Sequence, residues 1–197
     1  MKTRKILNLL LLAMLVSAVL ATAANAQEPA QEALNKLLHG TYASSASRTC
    51  IFAGPPFGTF FDENLEIQPV GSESLAQWAA LSTTVTYNGD GTGREVGGGT
   101  FLNDAGGFPG PLVCDLTYVV NFDQSFDVTK QCGPAVGTPL QLSFELVENG
   151  HIQRGGGVLI TSNSEPRVGT VFAPGFPEGF FEFICVQSGT QMKLSGP

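Results

Sequence analysis

The feature that most constrains this chain is an alternation of period two in its middle. Cys114, Leu116, Tyr118, Val120 and Phe122 share one parity, and Asp115, Thr117 and Asn121 take the other. Leu140, Leu142, Phe144 and Leu146 alternate in the same way with Gln141, Ser143 and Glu145. A period of two means a strand with one buried and one wetted face, as in antiparallel sheets. The 24 Gly and 12 Pro are scattered between short Val-, Thr-, Phe- and Leu-rich runs, as turn residues between strands. Strands are expected near 40–53, 83–88, 93–101, 113–122, 125–132, 139–147, 151–161, 166–173 and 180–187, the last with a ragged tail to about 194. Hairpin-like turns are expected at "NGDG" (88–91), "FDQS" (122–125) and "ENGH" (148–151). The one helix predicted is short, over 31–38, and Gly40 stops it. With no helix long enough to cover an open sheet, eight or nine such strands are expected to close into an antiparallel up-and-down barrel, which removes the edges. A β-sandwich is the alternative.

The cysteines reinforce this reading. If Cys114 and Cys132 lie directly opposite in a hairpin, Leu116 meets Lys130, Tyr118 meets Val128 and Val120 meets Phe126. That register leaves a loop of Phe122 to Gln124 and keeps both strands' apolar residues on one face. Directly opposed residues are close enough for a disulfide. Cys50–Cys185 then follows by elimination and joins the first strand to the last, at the seam of a closed barrel. No Cys-x-x-Cys spacing supports a metal or thioredoxin-like site.

An even cysteine count fits an exported chain. Lys2, Arg4 and Lys5 precede an apolar run from Ile6 to Leu20 and then Ala24-Asn25-Ala26, the layout of a cleaved secretory signal over residues 1–26. No cysteine follows the cleavage point, so the signal is not of the lipoprotein type, and a secreted or periplasmic location is expected. Residues 27–39 would form the segment with the short helix, and 40–197 a single barrel domain. Cleavage removes three of the ten Lys and Arg and none of the seventeen acidic residues, changing the net charge from −7 to −10. Such a surface repels nucleic acid and anionic lipid headgroups, so neither nucleic-acid binding nor integral membrane association is expected after cleavage.

Few residues invite chemistry. The two histidines, His39 and His151, sit at a helix end and a predicted turn, and two are too few for a three-histidine zinc site. No Gly-x-Ser-x-Gly elbow is present. "NGDGTG" lacks the acidic core and terminal Glu of a calcium loop, and a tight turn accounts for it. The triple glycines "VGGGT" (96–100) and "RGGGV" (154–158) fall inside predicted strands, where glycine marks a bulge, a bend or a close backbone approach, or leaves room inside. No cofactor is expected. Lys130 and Arg154 are the inward charged candidates by parity. Gly54 to Leu81 lacks a strong strand pattern and holds Phe57, Phe60, Phe61 and the only tryptophan, Trp78. Within it, 73–80 reads as a helical turn or an extra strand.

"HGTY" (39–42), after a short helix and opening the first strand, is similar in place to the Gly-x-Trp motif of lipocalins, so the chain resembles a calycin-type barrel. Tyr42 stands where lipocalins have tryptophan, and Lys193 is the only candidate for the arginine that caps it. The chain also resembles a loose group of secreted bacterial proteins of unknown function that carry "YNGDGTG" (87–93) and end on an "I-C-x-x-S" strand (184–188). The calycin resemblance implies a lid or a plug from 54–81 at the barrel mouth. It also implies a small apolar ligand inside, lined by Tyr118, Val120, Val128, Leu142, Phe144 and Phe183 with Trp78 near the mouth. A non-enzymatic ligand-binding barrel is therefore the first expectation. A plugged barrel acting through its surface, with no protein partner identified, is the second, and a small barrel isomerase or cyclase the third.

Overall fold

The computed structural model describes residues 30–194 apart from 73, 104–105, 134–142, 154, 164–166 and 174–175. The expected signal, Leu140, Leu142 and Arg154 lie outside the described residues. A helix over 30–35 leads into β1 (His39–Ala53), then a 3-10 turn (Pro55–Phe57) and a small hairpin of β2 (Phe60–Phe61) and β3 (Ile67–Gln68). The remaining strands are β4 (Leu75–Asn88), β5 (Thr92–Asn103), β6 (Gly106–Val120), β7 (Ser125–Gly133), β8 (Ser143–Ile152), β9 (Val158–Ser162), β10 (Val168–Ala173) and β11 (Phe176–Lys193).

All neighbours are antiparallel, and β11 pairs back onto β1 over Tyr42–Ala53, so the sheet closes. The barrel has eight positions, because β9 and β10 share one. β9 pairs β8 and β11 at one end of that position, and β10 pairs the same two strands at the other. Asn163 bridges the break: its side chain donates to the Cys185 carbonyl and accepts from the Gln187 N–H, both at 2.9 Å. Among the described residues every main-sheet strand has a partner on both sides, as expected for the barrel rather than the sandwich.

The β6–β7 hairpin has the register read from its sequence, with Cys114 opposite Cys132, Leu116 opposite Lys130 and Val120 opposite Phe126. Both disulfides link directly opposed residues: Cys114–Cys132, and Cys50–Cys185 across the β1–β11 seam. Phe122 departs from its expected inward parity. It sits in the turn, 85 % exposed, because the strand ends at Val120.

Two turns differ from expectation. No turn forms at 148–151: β8 runs straight through, with Asn149 opposite Asp127 and Gly150 opposite Phe126. Glycine is needed there because a Cβ would lie 2.3 Å from the Phe126 ring, which covers that spot. The chain reverses instead around Gly155–Gly157, in the second triple-glycine stretch. Gly155 and Gly156 take positive φ, and Gln153 N–H bonds the Val158 carbonyl at 2.9 Å. The first triple glycine does lie in a strand, where Cβ atoms on Gly98 and Gly99 would meet carbonyl oxygens of Gly110 and Ala80 at 2.6 and 2.4 Å. β4 begins at Leu75, so 75–81 is strand, not loop.

The helix closes one end of the barrel. Val120 N–H donates to Asn35 Oδ1 at 3.0 Å, and Tyr118 Oη donates to the Leu38 carbonyl at 2.8 Å while accepting from Gly89 N–H at 2.9 Å. Beneath it Tyr42, Tyr87, Tyr118 and Phe126 meet edge to face, with centroids 5.2–6.4 Å apart. Lys193 Nζ lies 5.9 Å over the Tyr42 ring, so the two residues form a cation–π pair at this end of the barrel. At the other end, Phe52, Phe144, Phe181 and Phe183 cluster, and Phe57 stacks on Phe181 at 5.5 Å.

Candidate functional site

The middle of the barrel is charged. Parity sends Arg48 inward two residues before Cys50, Glu95 inward opposite Cys114, Lys130 inward from β7 and Glu148 inward from β8. Lys130 Nζ lies 2.8 Å from both Glu95 Oε2 and Glu148 Oε2. Thr83 Oγ1 donates to Glu95 Oε1 at 2.6 Å, and Gln187 Nε2 to Glu148 Oε1 at 2.7 Å. Arg48 Nε donates to Gln187 Oε1 at 2.6 Å and its guanidinium lies 3.8 Å from Glu148 Oε1. Two cations and two carboxylates balance, and all four side chains are buried. Glu95 Oε2 is the weak point: beyond the Lys130 contact it has no polar partner among the described residues.

Burial opposes ionisation of Glu95, but Lys130, Thr83 and Arg48 outweigh it and hold its carboxyl below the ordinary range. Burial likewise disfavours the Lys130 ammonium, and the two carboxylates more than offset this, raising its pKa. Burial lowers the Arg48 pKa against the pull of Glu148 and Glu95. Burial also pushes the Tyr42, Tyr87 and Tyr118 hydroxyls up, so they act as neutral donors. The shifts of Glu95 and Lys130 both favour the ionised pair, and all four central side chains are already committed to partners.

The residues expected to line a ligand site are dispersed. Tyr118, Val120 and Val128 are fully packed at the end closed by the helix. Phe144 and Phe183 belong to the aromatic cluster at the opposite end. The charged layer separates these two groups, and Leu142 is outside the described residues. Trp78 lies on the outer wall: β4 turns Ala79, Leu81 and Thr83 inward, which sends Trp78 out at 47 % exposure. Parity with Cys50 and Leu146 would have found Arg48 and Glu148; the turn expected at 148–151 hid the second.

Next to Phe183 and Leu146 is a cleft of about 320 Å³, opened by the break between β9 and β10 and lined also by Glu145, Arg167 and Phe172. A second, of about 330 Å³, lies by Val113, Gln131 and Ser143. None of the four central charged residues lines either cleft.

The outer wall is divided by charge. On β6, β7 and β8 it exposes Asp115, Asp127 and Glu145, with Asp123 in the turn. Gln131 bonds Glu145 and Asn149 bonds Asp127 on this side. Across β5, β4, β1, β11 and the split strand five outward rows carry no charged side chain, and they are bounded by outward Arg94 on β5 and Glu182 on β11. Leu102, Trp78, Thr49 and Val186 are one row, and Ala76, Ile51, Ile184 and Val168 the next. On the other side of Trp78 come Ala80–Ser47–Ser188–Ser162, Ser82–Ser45–Thr190–Ile160 and Thr84–Ala43–Met192–Val158. No helix among the described residues is long and apolar enough to cross a membrane.

No family model matches the chain, and no curated protein matches it. Among solved structures, it is similar to DynF from the dynemicin biosynthesis pathway of Micromonospora chersina. The two share 9 % identity over 81 % of this chain and 84 % of that one, with a TM-score of 0.42.

Proposed function

We propose that this is an exported, non-enzymatic barrel that acts through its outer wall, by docking a protein on the uncharged face of β5, β4, β1, β11 and the split strand. The observation that carries the reading is that face: five register rows without a charged side chain on a chain whose net charge is −7 in full and −10 without residues 1–26. Covering Ser, Thr, Ala and Val costs little desolvation, whereas covering the Asp and Glu of the opposite wall costs much. Trp78 supplies a large apolar anchor of the type that dominates interfaces. The two disulfides fit an oxidising compartment, where such a barrel resists reduction. The balanced interior supports the same reading, because its charges are spent on each other rather than offered to a substrate.

The test is a photo-crosslinking residue at position 78, with the same residue at Val119 on the acidic wall as control, in cells exporting the protein. Adducts formed at 78 and not at 119 support the reading; equal or absent adducts at both overturn it.

A second reading keeps a small ligand, in the cleft beside Phe183. Its volume is at the low end of small-molecule sites, and its lining mixes Leu146, Phe172 and Phe183 with Glu145 and Arg167. Native mass spectrometry of protein taken from its own compartment would show an extractable excess of a few hundred daltons, on the order of one small molecule. A mass equal to the disulfide-bonded chain rejects it.

A further inference from the structure

We infer that the occupant of the uncharged wall is a second copy of this chain, in an isologous two-fold dimer; the inference rests on the outer-wall reading above. The argument is electrostatic. Acidic side chains face outward from β6, β7 and β8, so two copies that met through those strands would place like charges together. The face centred on β1 is where identical molecules of this net charge can meet without that repulsion. A two-fold axis also needs a self-complementary patch. Small residues at the centre of the face, Ser47 beside Ser188 and Ala80, permit close approach of two walls, and Trp78 and Val186 stand above them on the same side. Those five of eight strand positions wrap about half of the closed barrel, so two such walls meet only over their central strands, an interface at the small end of the specific range that makes a weak dimer.

Sedimentation equilibrium on the purified, disulfide-intact chain tests this, over a concentration series up to about 200 μM, a range that detects weak dimers. The expected result is a monomer–dimer equilibrium that tightens as salt rises, since screening relieves the residual repulsion between two acidic copies. Ser47→Glu and Val186→Glu each weaken the dimer by about a hundredfold or more, because the substitution meets its own image across the axis. Val119→Glu leaves it unchanged. Far-ultraviolet circular dichroism confirms that each variant keeps its strands. The single tryptophan, Trp78, gives a second readout, a blue shift in emission on dimerisation that the two wall variants lose. A chain that stays monomeric throughout overturns the inference. The mass of the adduct formed at position 78 then separates the two failures. An adduct with a different protein leaves the outer-wall reading standing and removes only the dimer, and the absence of a wall-specific adduct removes both.

Discussion

Replacing Lys130 with methionine keeps most of the stem volume and deletes the ammonium that two buried carboxylates share. Glu148 keeps Gln187 at 2.7 Å and the Arg48 guanidinium at 3.8 Å, whereas Glu95 keeps only Thr83. The loss therefore falls on Glu95. Breaking a buried pair by removing one partner costs about 3–5 kcal/mol. In a domain of this size that lowers Tm by roughly 10–15 °C. The pH dependence gives a sharper test than the size of the loss. In the parent, the depressed Glu95 pKa contributes stability that is present above the ordinary carboxylate pKa of about 4.3 and is lost as pH falls through the folded value. The raised Lys130 pKa contributes stability that is present below about 10.4 and is lost as pH rises through its folded value. Stability is thus flat, as far as these two groups go, between about pH 5 and 8. In Lys130→Met, burial acts on Glu95 against only the Thr83 hydrogen bond and the more distant Arg48, which shifts its pKa upward, so the folded state takes up a proton the unfolded state does not. The variant then gains stability on acidification from about pH 8 to 5, opposite in sign to the acid loss of the parent. Adding Glu95→Gln removes the orphaned charge and restores about 2 kcal/mol or more. Thermal unfolding followed by circular dichroism without reductant measures all three proteins. A Lys130→Met protein within about 1 kcal/mol of the parent and flat with pH would refute the account, because it would mean that water reaches these carboxylates.

Three further outcomes are expected. Converting Cys50 and Cys185 to alanine costs about 5 kcal/mol by loop-closure entropy, against about 3 for Cys114 and Cys132, because the bridges span 135 and 18 residues; guanidinium denaturation showing the reverse order would reject the seam's larger role. Gly150→Ala places a methyl in the Phe126 ring and destabilises by about 1–3 kcal/mol, and Phe126→Leu in the same chain recovers part of it in a double-mutant cycle unless the two positions are uncoupled. Tyr118→Phe leaves the Gly89 N–H and the Leu38 carbonyl without their partner at about 1–3 kcal/mol, and hydrogen exchange at Gly89 speeds up; unchanged exchange would mean the helix does not hold that end shut.

The barrel was legible in the sequence because its evidence is local. Alternation from Cys114 to Val120 fixes which side faces inward, and two opposed cysteines fix the β6–β7 register without any distant information. The seam followed from the same logic, since Cys50 and Cys185 sit in the first and last strands. Where local signals compete, reading failed. "ENGH" has turn chemistry, yet β8 passes through it, because Phe126 on the neighbouring strand needs the space a glycine leaves. Trp78 is expected near the mouth because the strand signal is weak before 83, yet β4 begins at Leu75 and its parity with Leu81 and Thr83 turns Trp78 outward.

The sequence by itself determined the fold class, both disulfides and a strongly acidic exterior, all consequences of period, pairing and composition. Only the tertiary structure decided that Arg48, Glu95, Lys130 and Glu148 meet in the centre and that Asp115, Asp127 and Glu145 share one wall on β6, β7 and β8. Those outcomes depend on which strands become neighbours when the sheet closes. A change in closure would leave every local pattern intact and part Arg48 on β1 from Glu148 on β8.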